Sequence, residues 1–375
     1  MKRLFYIALA ATALFSNSCT VANQPEQGGV VQLQITPGIA SAPKTRGVVF
    51  PAASNAMPNR SSFGLFVCDH YNYSGGGSNP YTEYAARYNN IRAYRNDSGN
   101  WRYNYSGYTD FEMLYLAAKD ADRDGMTDIT ADIFAYAPYQ EDLATLEAVP
   151  FSISGAVDVM YAEQNTDPDN NKNIDPAAYS QAPYNGHLPV PLTFRHALSL
   201  LEFDFTVKNE NYEHPMDPAS TQGYRLQSIQ LTKKHPSAHL YSSGTMNAMN
   251  EGALSDLTPA DAITVSFLTP NGSNYGYIDF TSTAQAYFLQ VPTQAGDAGY
   301  ADGDYEFTFT FSGQTFPVKF TLLREHIKHS DNVTYGFQPG CKYTFHFIID
   351  NYIHLEGVTI GEWETVDTPV QKTEI

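Results

Sequence analysis

The sequence is poor in cysteine, in tryptophan and in basic residues. Its 375 residues include 3 Cys and 2 Trp, and 22 Lys and Arg stand against 40 Asp and Glu, which gives a formal net charge of −18. Three cysteines cannot form a disulfide framework, and no CxxC pair of the kind that binds zinc occurs. A chain this acidic is repelled by phosphate backbones, which argues against nucleic acid as a partner.

Motifs of common enzymes and cofactor sites are also missing. The sequence contains no GxSxG, no P-loop and no GxGxxG dinucleotide-binding motif. Pro236 separates His235 from His239, and His326 and His329 lack the carboxylate base of a zinc protease, so neither pair indicates zinc. We therefore predict no catalytic activity and no cofactor.

The N-terminus has the features of an export signal. Met1-Lys2-Arg3 is followed by an apolar run at residues 4–15, which is too short to span a bilayer and suits a signal-peptide core. Small residues precede Cys19, as in bacterial lipoprotein signals, where the cysteine is acylated and becomes the first mature residue. An ordinary signal peptide with an incidental cysteine is the alternative. We predict a signal peptide over residues 1–18 and lipidation at Cys19.

The two remaining cysteines lie far apart in the chain. Cys68 and Cys341 have the alternatives of one disulfide or two free thiols. The interpretation favours buried thiols in separate domains, because free cysteine is among the residues buried most often.

Alternating apolar and polar residues predict strands through the body of the chain. The pattern is clearest at residues 201–207, and the runs 305–311 and 316–322 are joined by four residues as a hairpin. Further strands are predicted at residues 62–68, 132–139 and 343–349. Residues 111–119 are the best candidate for a short helix. Many short strands with little helix indicate an all-β fold built of β-sandwiches.

A polar segment divides the chain into two predicted domains. Residues 164–191 are rich in Asn, Asp and Pro and do not favour a long strand. The first domain is predicted at residues 47–189 and the second at residues 190–375. Residues 19–46 precede both as a tether and an N-terminal strand.

That N-terminal strand is followed by a segment suited to proteolysis. Val31, Leu33 and Ile35 alternate with polar residues, and Pro37-Gly38 is predicted to end the strand. The polar segment that follows ends at Arg46, and exposed segments of this composition are common sites of proteolytic cutting.

The order of several short motifs resembles that of the fimbrillins, the pilus subunits of Bacteroides and its relatives. The motifs are Cys19 in its signal, Thr45-Arg46, Gly99-Asn100-Trp101, residues 134–139 (FAYAPY), residues 194–199 (FRHALS), residues 337–343 (FQPGCKY) and residues 360–363 (IGEW). Each motif is short, but their order along most of the chain makes the match specific.

The resemblance implies a fold and a mode of assembly. Family members have two transthyretin-like β-sandwich domains, and an Arg-specific protease cuts them after an arginine in this segment, which here is the Arg46–Gly47 bond. Val31, Leu33 and Ile35 would then belong to a plug strand whose loss exposes an apolar groove with unpaired backbone groups. A strand from a neighbouring subunit would fill it by donor-strand exchange. A permanent first strand is the alternative.

The resemblance also implies location and partners. The precursor would be an outer-membrane lipoprotein, and the cut subunit would join a cell-surface fimbrium that contributes to adhesion to a host or bacterial receptor. Whether it serves as a stalk, tip or anchor subunit stays open. The assembled form would carry 18 basic and 39 acidic residues. Subunits with this charge repel one another, and salt screens the repulsion. We therefore predict that the rate at which the cut protein polymerises, measured by light scattering, increases with salt concentration.

An acidic segment contains the first half of a calcium-loop pattern. Asp120, Asp122, Asp124 and Asp128 occupy positions 1, 3, 5 and 9, but Ala131 stands where the bidentate Glu belongs. A solvated acidic turn is the preferred interpretation, and calcium is the alternative.

A tyrosine-rich segment carries the alternative function. Nine tyrosines lie between positions 71 and 108. Alternating tyrosine suits one face of a sandwich, which is the preferred interpretation, while exposed tyrosine also suits a binding surface. The alternative is therefore a non-polymerising surface lipoprotein that binds glycan or a host ligand and keeps Cys19.

Overall fold

The chain forms an all-β fold. The computed structural model describes residues 30–39, 62–71, 82–83, 89–98, 100–104, 114–117, 129–153, 157–162, 187–207, 226–264, 266–268, 285–294, 301–311, 317–329, 335–349 and 353–362. Across these ranges the backbone forms 21 strands and short 3₁₀ turns, and no α-helix is present. No helix among these residues is long and apolar enough to cross a membrane.

The largest sheet has nine strands. They are β1 (Val30–Ile39), β2 (Ser62–Tyr71), β3 (Thr82–Glu83), β4 (Ile91–Arg95), β5 (Trp101–Asn104), β6 (Leu114–Ala117), β7 (Ile129–Ala137), β9 (Met160–Ala162) and β10 (His187–His196). Their order is β5-β4-β2-β7-β9-β10-β1-β6, and β3 pairs with β2. The first described strand, β1, therefore lies inside this sheet.

Three smaller sheets contain the other strands. The strands are β8 (Val149–Ser152), β11 (Ser199–Val207), β12 (Leu226–Lys233), β13 (Tyr241–Asn247), β14 (Ala253–Pro259), β15 (Ala262–Thr264), β16 (Ser266–Leu268), β17 (Gln285–Gln290), β18 (Tyr305–Phe311), β19 (Val318–Leu322), β20 (Cys341–Ile349) and β21 (Ile353–Glu362). The five-stranded sheet has the order β16-β17-β11-β20-β21, the four-stranded sheet β15-β12-β18-β19 and the three-stranded sheet β14-β13-β8.

Phenylalanine rings join the five-stranded sheet to the four-stranded sheet. Phe203 of β11 and Phe345 of β20 are both buried and contact Phe307 of β18, with ring centroids 5.2 and 5.4 Å apart. Phe347 of β20 contacts Phe309 of β18 at 5.0 Å. These five side chains, named here the phenylalanine layer, show that the two sheets pack face to face. Alternation with polar residues places them on one face of each strand.

The Tyr136 side chain of β7 packs on the neighbouring strand β2. The Tyr136 ring lies on Gly64, where an added Cβ would be 2.0 Å from the ring carbon Cε1. The Tyr136 hydroxyl donates to Asn90 Oδ1 at 2.8 Å, and Asn90 has a positive φ of 51°. Asn90 Nδ2 in turn donates to the Gln140 carbonyl at 2.9 Å. Tyr136 therefore ties β7 to the start of β4.

The strand predictions agree with the structure, and the helix prediction is wrong. Residues 62–68, 201–207 and 343–349 lie within β2, β11 and β20, and β18 and β19 pair as the predicted antiparallel hairpin. Within residues 111–119 the described part, Leu114–Ala117, is strand β6. The apolar residues there occur in both helical and alternating spacing, and pairing with β1 selects the extended form.

The predicted end of the first strand is also corrected. Pairing continues through Pro37 and Gly38 to Ile39, because the partner strand β10 extends beside them. A proline is tolerated in a strand where its missing N–H is not required.

The predicted domain limit falls inside one strand. Residues 189 and 190 both belong to β10, and β8 pairs with β13 although they lie on opposite sides of that limit in the chain. The division into residues 47–189 and 190–375 stays a prediction. Cys341 is half-buried and forms no disulfide, which argues against the alternative bond to Cys68, whose side chain lies outside the described residues.

Candidate functional site

Strand β1 is inserted between β10 and β6, two strands from distant parts of the chain. It pairs in parallel with β10 at eight positions, from Gln32 opposite His187 to Ile39 opposite Phe194. On its other side it pairs antiparallel with β6 from Val30 opposite Ala117 to Leu33 opposite Leu114. We call the space that β1 fills the β1 slot. Without β1, both neighbouring strands would present unpaired backbone groups.

The buried side chains of β10 beside the β1 slot are apolar. Ile35 of β1 is 7% exposed and lies opposite Val190, which is fully buried. Pro37 is also buried and lies opposite the buried Leu192. Alternate side chains of β1 thus reach the core, as expected for a strand with one buried face.

An aromatic chain continues inward from the β1 slot. Phe194, opposite Ile39 in the register, contacts Phe63 of β2 edge to face at 5.3 Å. Phe63 contacts Trp101 of β5 in the same way at 5.2 Å. These contacts connect the end of the slot to β5 at the opposite edge of the sheet, and none of the three rings belongs to β1.

Three prolines lie in the paired strands β1 and β10. Pro189 and Pro191 lie opposite Gln34 and Thr36, and Pro37 lies opposite Leu192. Proline has no backbone N–H and cannot donate to a ladder. A parallel ladder is also slightly less stable per residue than an antiparallel one. Side-chain packing must therefore supply relatively more of the attachment of β1.

A buried aspartate–histidine pair lies where β10 ends. The His196 ring contacts the Asp158 carboxylate through Nδ1 and Oδ2, and the Asp158 side chain is fully buried. Burial raises the pKa of Asp158, and the charge and hydrogen bond of His196 oppose that rise. Since β9 begins two residues after Asp158, the pair joins the start of one strand to the end of its neighbour.

The chain turns from the nine-stranded to the five-stranded sheet directly after His196. Ala197 N donates to the Val159 carbonyl at 3.0 Å, and Gly340 N donates to the Leu198 carbonyl at 2.9 Å. The Ser199 hydroxyl donates to the Gln338 carbonyl at 2.7 Å. We call residues 196–199 the β10–β11 bend. It is held by backbone on both sides.

The sequence-predicted site residues fall in two groups. Cys19, Arg46, Gly47 and the calcium candidates Asp120, Asp122, Asp124 and Asp128 lie outside the described residues. Val31, Leu33 and Ile35 lie in β1, and of these the side chain of Ile35 is described and buried. Lipidation, cleavage and calcium binding stay predictions.

His239, His326 and His329, from the two histidine pairs of the sequence, make hydrogen-bonding contacts within the fold. His239 Nδ1 lies 3.2 Å from the Tyr241 hydroxyl, and its backbone carbonyl accepts from Tyr305. His326 Nδ1 accepts from Leu323 N at 3.1 Å, and burial lowers the pKa of His326. His329 Nε2 lies 2.9 Å from the Tyr343 hydroxyl. Among the described residues, no group of three or more His, Cys, Asp or Glu side chains is arranged to hold a metal ion.

Three parts of the site were not predicted from the sequence: the extension of β1 to Ile39, and the two members of the Asp158–His196 pair. Pro37 and Ile39 extend the strand, and the alternation Leu33, Ile35, Pro37, Ile39 was a signal for them. His196 lies in the FRHALS motif, but nothing in the sequence points to Asp158 as its partner.

Comparison with known proteins gives one family match and a shared fold. A family model described as fimbrillin-like matches residues 73–363. The crystal structure of a candidate cell adhesion protein from Bacteroides uniformis has a TM-score of 0.51 and 16% identity, and the match covers 91% of this chain and 100% of that one. A candidate cell adhesion protein from Bacteroides ovatus has a TM-score of 0.51 and 15% identity, over 88% of this chain and 97% of that one. No functionally curated protein matches the sequence.

Proposed function

The chain belongs to the fimbrillin-like family, and on that premise we propose that it is a structural, non-enzymatic subunit of a cell-surface fimbrium that assembles by exchange of β1. The Arg46–Gly47 bond is cut, β1 leaves, and a strand from a neighbouring subunit takes its place. Repeated head-to-tail exchange that does not close into a ring produces a filament.

The position of β1 is the observation that supports this proposal most. An edge strand could be lost without opening the sheet, whereas β1 separates β10 from β6. Its removal therefore leaves a gap with a row of backbone groups and the buried side chains Val190 and Leu192 along one wall. An incoming extended segment with apolar residues at alternate positions would restore both the ladder and the packing.

The location of the cut suits the release of this strand. Arg46 lies seven residues after Ile39, the last residue of β1. Cutting there would separate β1 from the rest of the chain without breaking any of the described strands. The strand is then held by non-covalent contacts alone, and its local concentration is no longer fixed by the chain.

Further parts of the proposal concern the precursor and the fold. The precursor is anchored in the outer membrane through acylated Cys19 and keeps β1 in place until export is complete. The body of the subunit consists of two transthyretin-like sandwiches in tandem. The contact of the five-stranded and four-stranded sheets through the phenylalanine layer supports a sandwich in the second half.

The proposal is tested by cutting the full chain with an Arg-specific protease. N-terminal sequencing should give a new end at Gly47, and light scattering should show growth of polymers. The Arg46→Lys variant is the matched control, because it keeps the positive charge and removes the Arg-specific site. It should remain monomeric under the same treatment. A new end at Gly47 without release of β1 or polymer growth would contradict assembly by exchange.

The same experiment separates the proposal from the ligand-binding alternative. A surface lipoprotein that binds glycan keeps Cys19 as its mature N-terminus, whereas a polymerising subunit loses residues 19–46. Sequencing of protein isolated from the cell surface distinguishes these two outcomes.

A further inference from the structure

We infer that the Asp158–His196 pair is a positioning device that holds β10 in place while the β1 slot is empty. The inference rests on the proposed function, because it concerns the interval between loss of β1 and arrival of the next strand. It assigns a role to two buried side chains that the filled slot does not require.

The pairing of β10 is divided along its length. Residues 187–194 pair with β1, whereas only Phe194, Arg195 and His196 pair with β9. When β1 leaves, the described pairing of β10 is reduced to these last three residues. The first part of the strand then has no described ladder partner, although it forms the wall that the incoming strand must recognise.

The remaining attachment is concentrated at one end. Ala197 N donates to the Val159 carbonyl at 3.0 Å, directly beside the Asp158–His196 contact. Asp158 is fully buried and His196 is 10% exposed, so solvent screens their interaction only weakly. The pair fixes the end of β10 against β9, and β9 in turn pairs with β7. It therefore anchors the slot wall to β9 and β7, whose described pairings do not involve β1.

The opposite side of the β10–β11 bend is also held. Gly340 and Gln338 bond the backbone at Leu198 and the hydroxyl of Ser199. The Tyr343 hydroxyl accepts from Gln338 N at 2.9 Å and donates to the Gly336 carbonyl at 2.8 Å, which fixes this segment to β20. With both sides held, β10 keeps the direction that a replacement strand needs.

A preorganised wall affects the rate of uptake more than the rate of release. If β10 wanders in the emptied subunit, an incoming strand must wait for the competent conformation, and its association slows. Once the slot is filled, the ladder itself holds β10, so dissociation changes little. A pair that merely stabilised the filled fold would change dissociation instead.

The test uses the full chain cut after Arg46, with the released segment removed by size-exclusion chromatography. The probe is a fluorescent peptide with the sequence of residues 30–39, and its binding is followed by stopped-flow anisotropy. Asp158→Ala removes the contact. Asp142→Ala is the matched control, because it removes an exposed carboxylate by the same substitution.

We expect Asp158→Ala to slow peptide association about tenfold and to leave dissociation within about twofold of wild type. Thermal unfolding of the uncut variant checks that it folds. If it does not, the double variant Asp158→Val/His196→Met replaces the pair by apolar side chains of similar size and leaves no buried charge, which favours folding. The same slow association is expected for it.

Three results would overturn the inference. They are unchanged association, equal slowing by Asp142→Ala, and a change confined to dissociation. If the peptide does not bind the wild-type cut protein, refilling of the slot fails and the proposed function falls together with the inference. Normal binding to wild type with unchanged association to Asp158→Ala overturns the inference alone.

Discussion

The β1 slot and the phenylalanine layer are both apolar, but they hold their contents in different ways. In the layer, rings from three strands meet with centroids 5.0 to 6.4 Å apart, and each ring contacts more than one other. In the slot, one strand contributes the buried Ile35 and Pro37 against a wall supplied by β10. The layer is a shared network, whereas the slot has a single occupant.

If β1 is exchanged as proposed, this difference explains how one strand can leave without loss of the rest of the fold. Removing one member of the phenylalanine layer disturbs several neighbours in two sheets. The contacts of Phe63 with Phe194 and with Trp101, by contrast, involve no residue of β1. Close packing therefore holds the second half of the chain together, whereas one strand fills the slot in the first half.

The largest effect is expected in the phenylalanine layer. Phe345→Ala removes a fully buried ring that contacts Phe203 and Phe307, and we expect a loss of about 3–5 kcal/mol in the free energy of unfolding. Urea denaturation measures it, and Phe345→Leu is the control that keeps most of the volume. A loss of less than about 1 kcal/mol would show that the layer is not the shared network described above.

A smaller and conditional effect is expected in the β1 slot. Ile35→Ala should cost the uncut protein about 2–4 kcal/mol, because it removes a buried branched side chain. After cutting at Arg46 and removal of the released segment, the variant and wild type are chemically identical from Gly47 onward. Gln34→Ala, at the alternate position of the strand, is the control. An equal cost at both positions would contradict a strand with one buried face.

Strands β2 and β7 of the nine-stranded sheet, which the proposal does not exchange, should lose stability on substitution as the phenylalanine layer does. Gly64→Ala places a methyl group against the Tyr136 ring, and overpacking of this kind costs about 1–3 kcal/mol. The loss should persist in the cut protein after β1 has left. Gly361→Ala, where a Cβ meets nothing within 4 Å, is the control. Thermal unfolding of cut and uncut protein makes the comparison, and a loss seen only in uncut protein would contradict it.

The smallest effect is expected at the surface of the four-stranded sheet. Glu306 accepts from Lys319 at 2.9 Å and lies 3.4 Å from Lys234. Burial alone would raise the pKa of Glu306, but the bond to Lys319 and the two positive charges lower it. Glu306→Gln should cost less than about 1 kcal/mol at neutral pH.

The pH dependence of that effect has a fixed sign. Because the pKa of Glu306 is lowered on folding, its contribution is present above the pKa of the unfolded chain and is lost as pH falls through the lower folded value. Denaturation curves of wild type and Glu306→Gln should therefore converge in acid. A difference that grows on acidification would contradict the assignment.

The alternation of apolar and polar residues allowed most strands to be predicted. Pairing between strands that are distant in the sequence could not be predicted in this way. The hairpin of β18 and β19 joins neighbouring runs, so alternation and one short turn were enough. Residues 114–117 form a strand because β1 pairs with them, and no local signal in that segment shows its partner. The same reason explains why the insertion of β1 beside β10 could not be predicted from alternation alone.

The Asp158–His196 pair shows a second limit of prediction from the sequence. His196 follows the alternating apolar residues Val190, Leu192 and Phe194, but Asp158 precedes a three-residue strand with no distinct periodicity. Only the antiparallel register of β9 and β10 brings them together. A pair of this kind depends on tertiary structure and leaves little trace in the local sequence.

Hydrogen exchange of the subunit before and after cutting at Arg46 tests the central claim most directly. With the released segment removed, the amides of β6 and of β10 up to Leu192 should lose protection. Those of β11, β18 and β20 should keep it. Unchanged protection in β10 would show that β1 is not the releasable strand, and a loss throughout the chain would show that the fold does not survive without it.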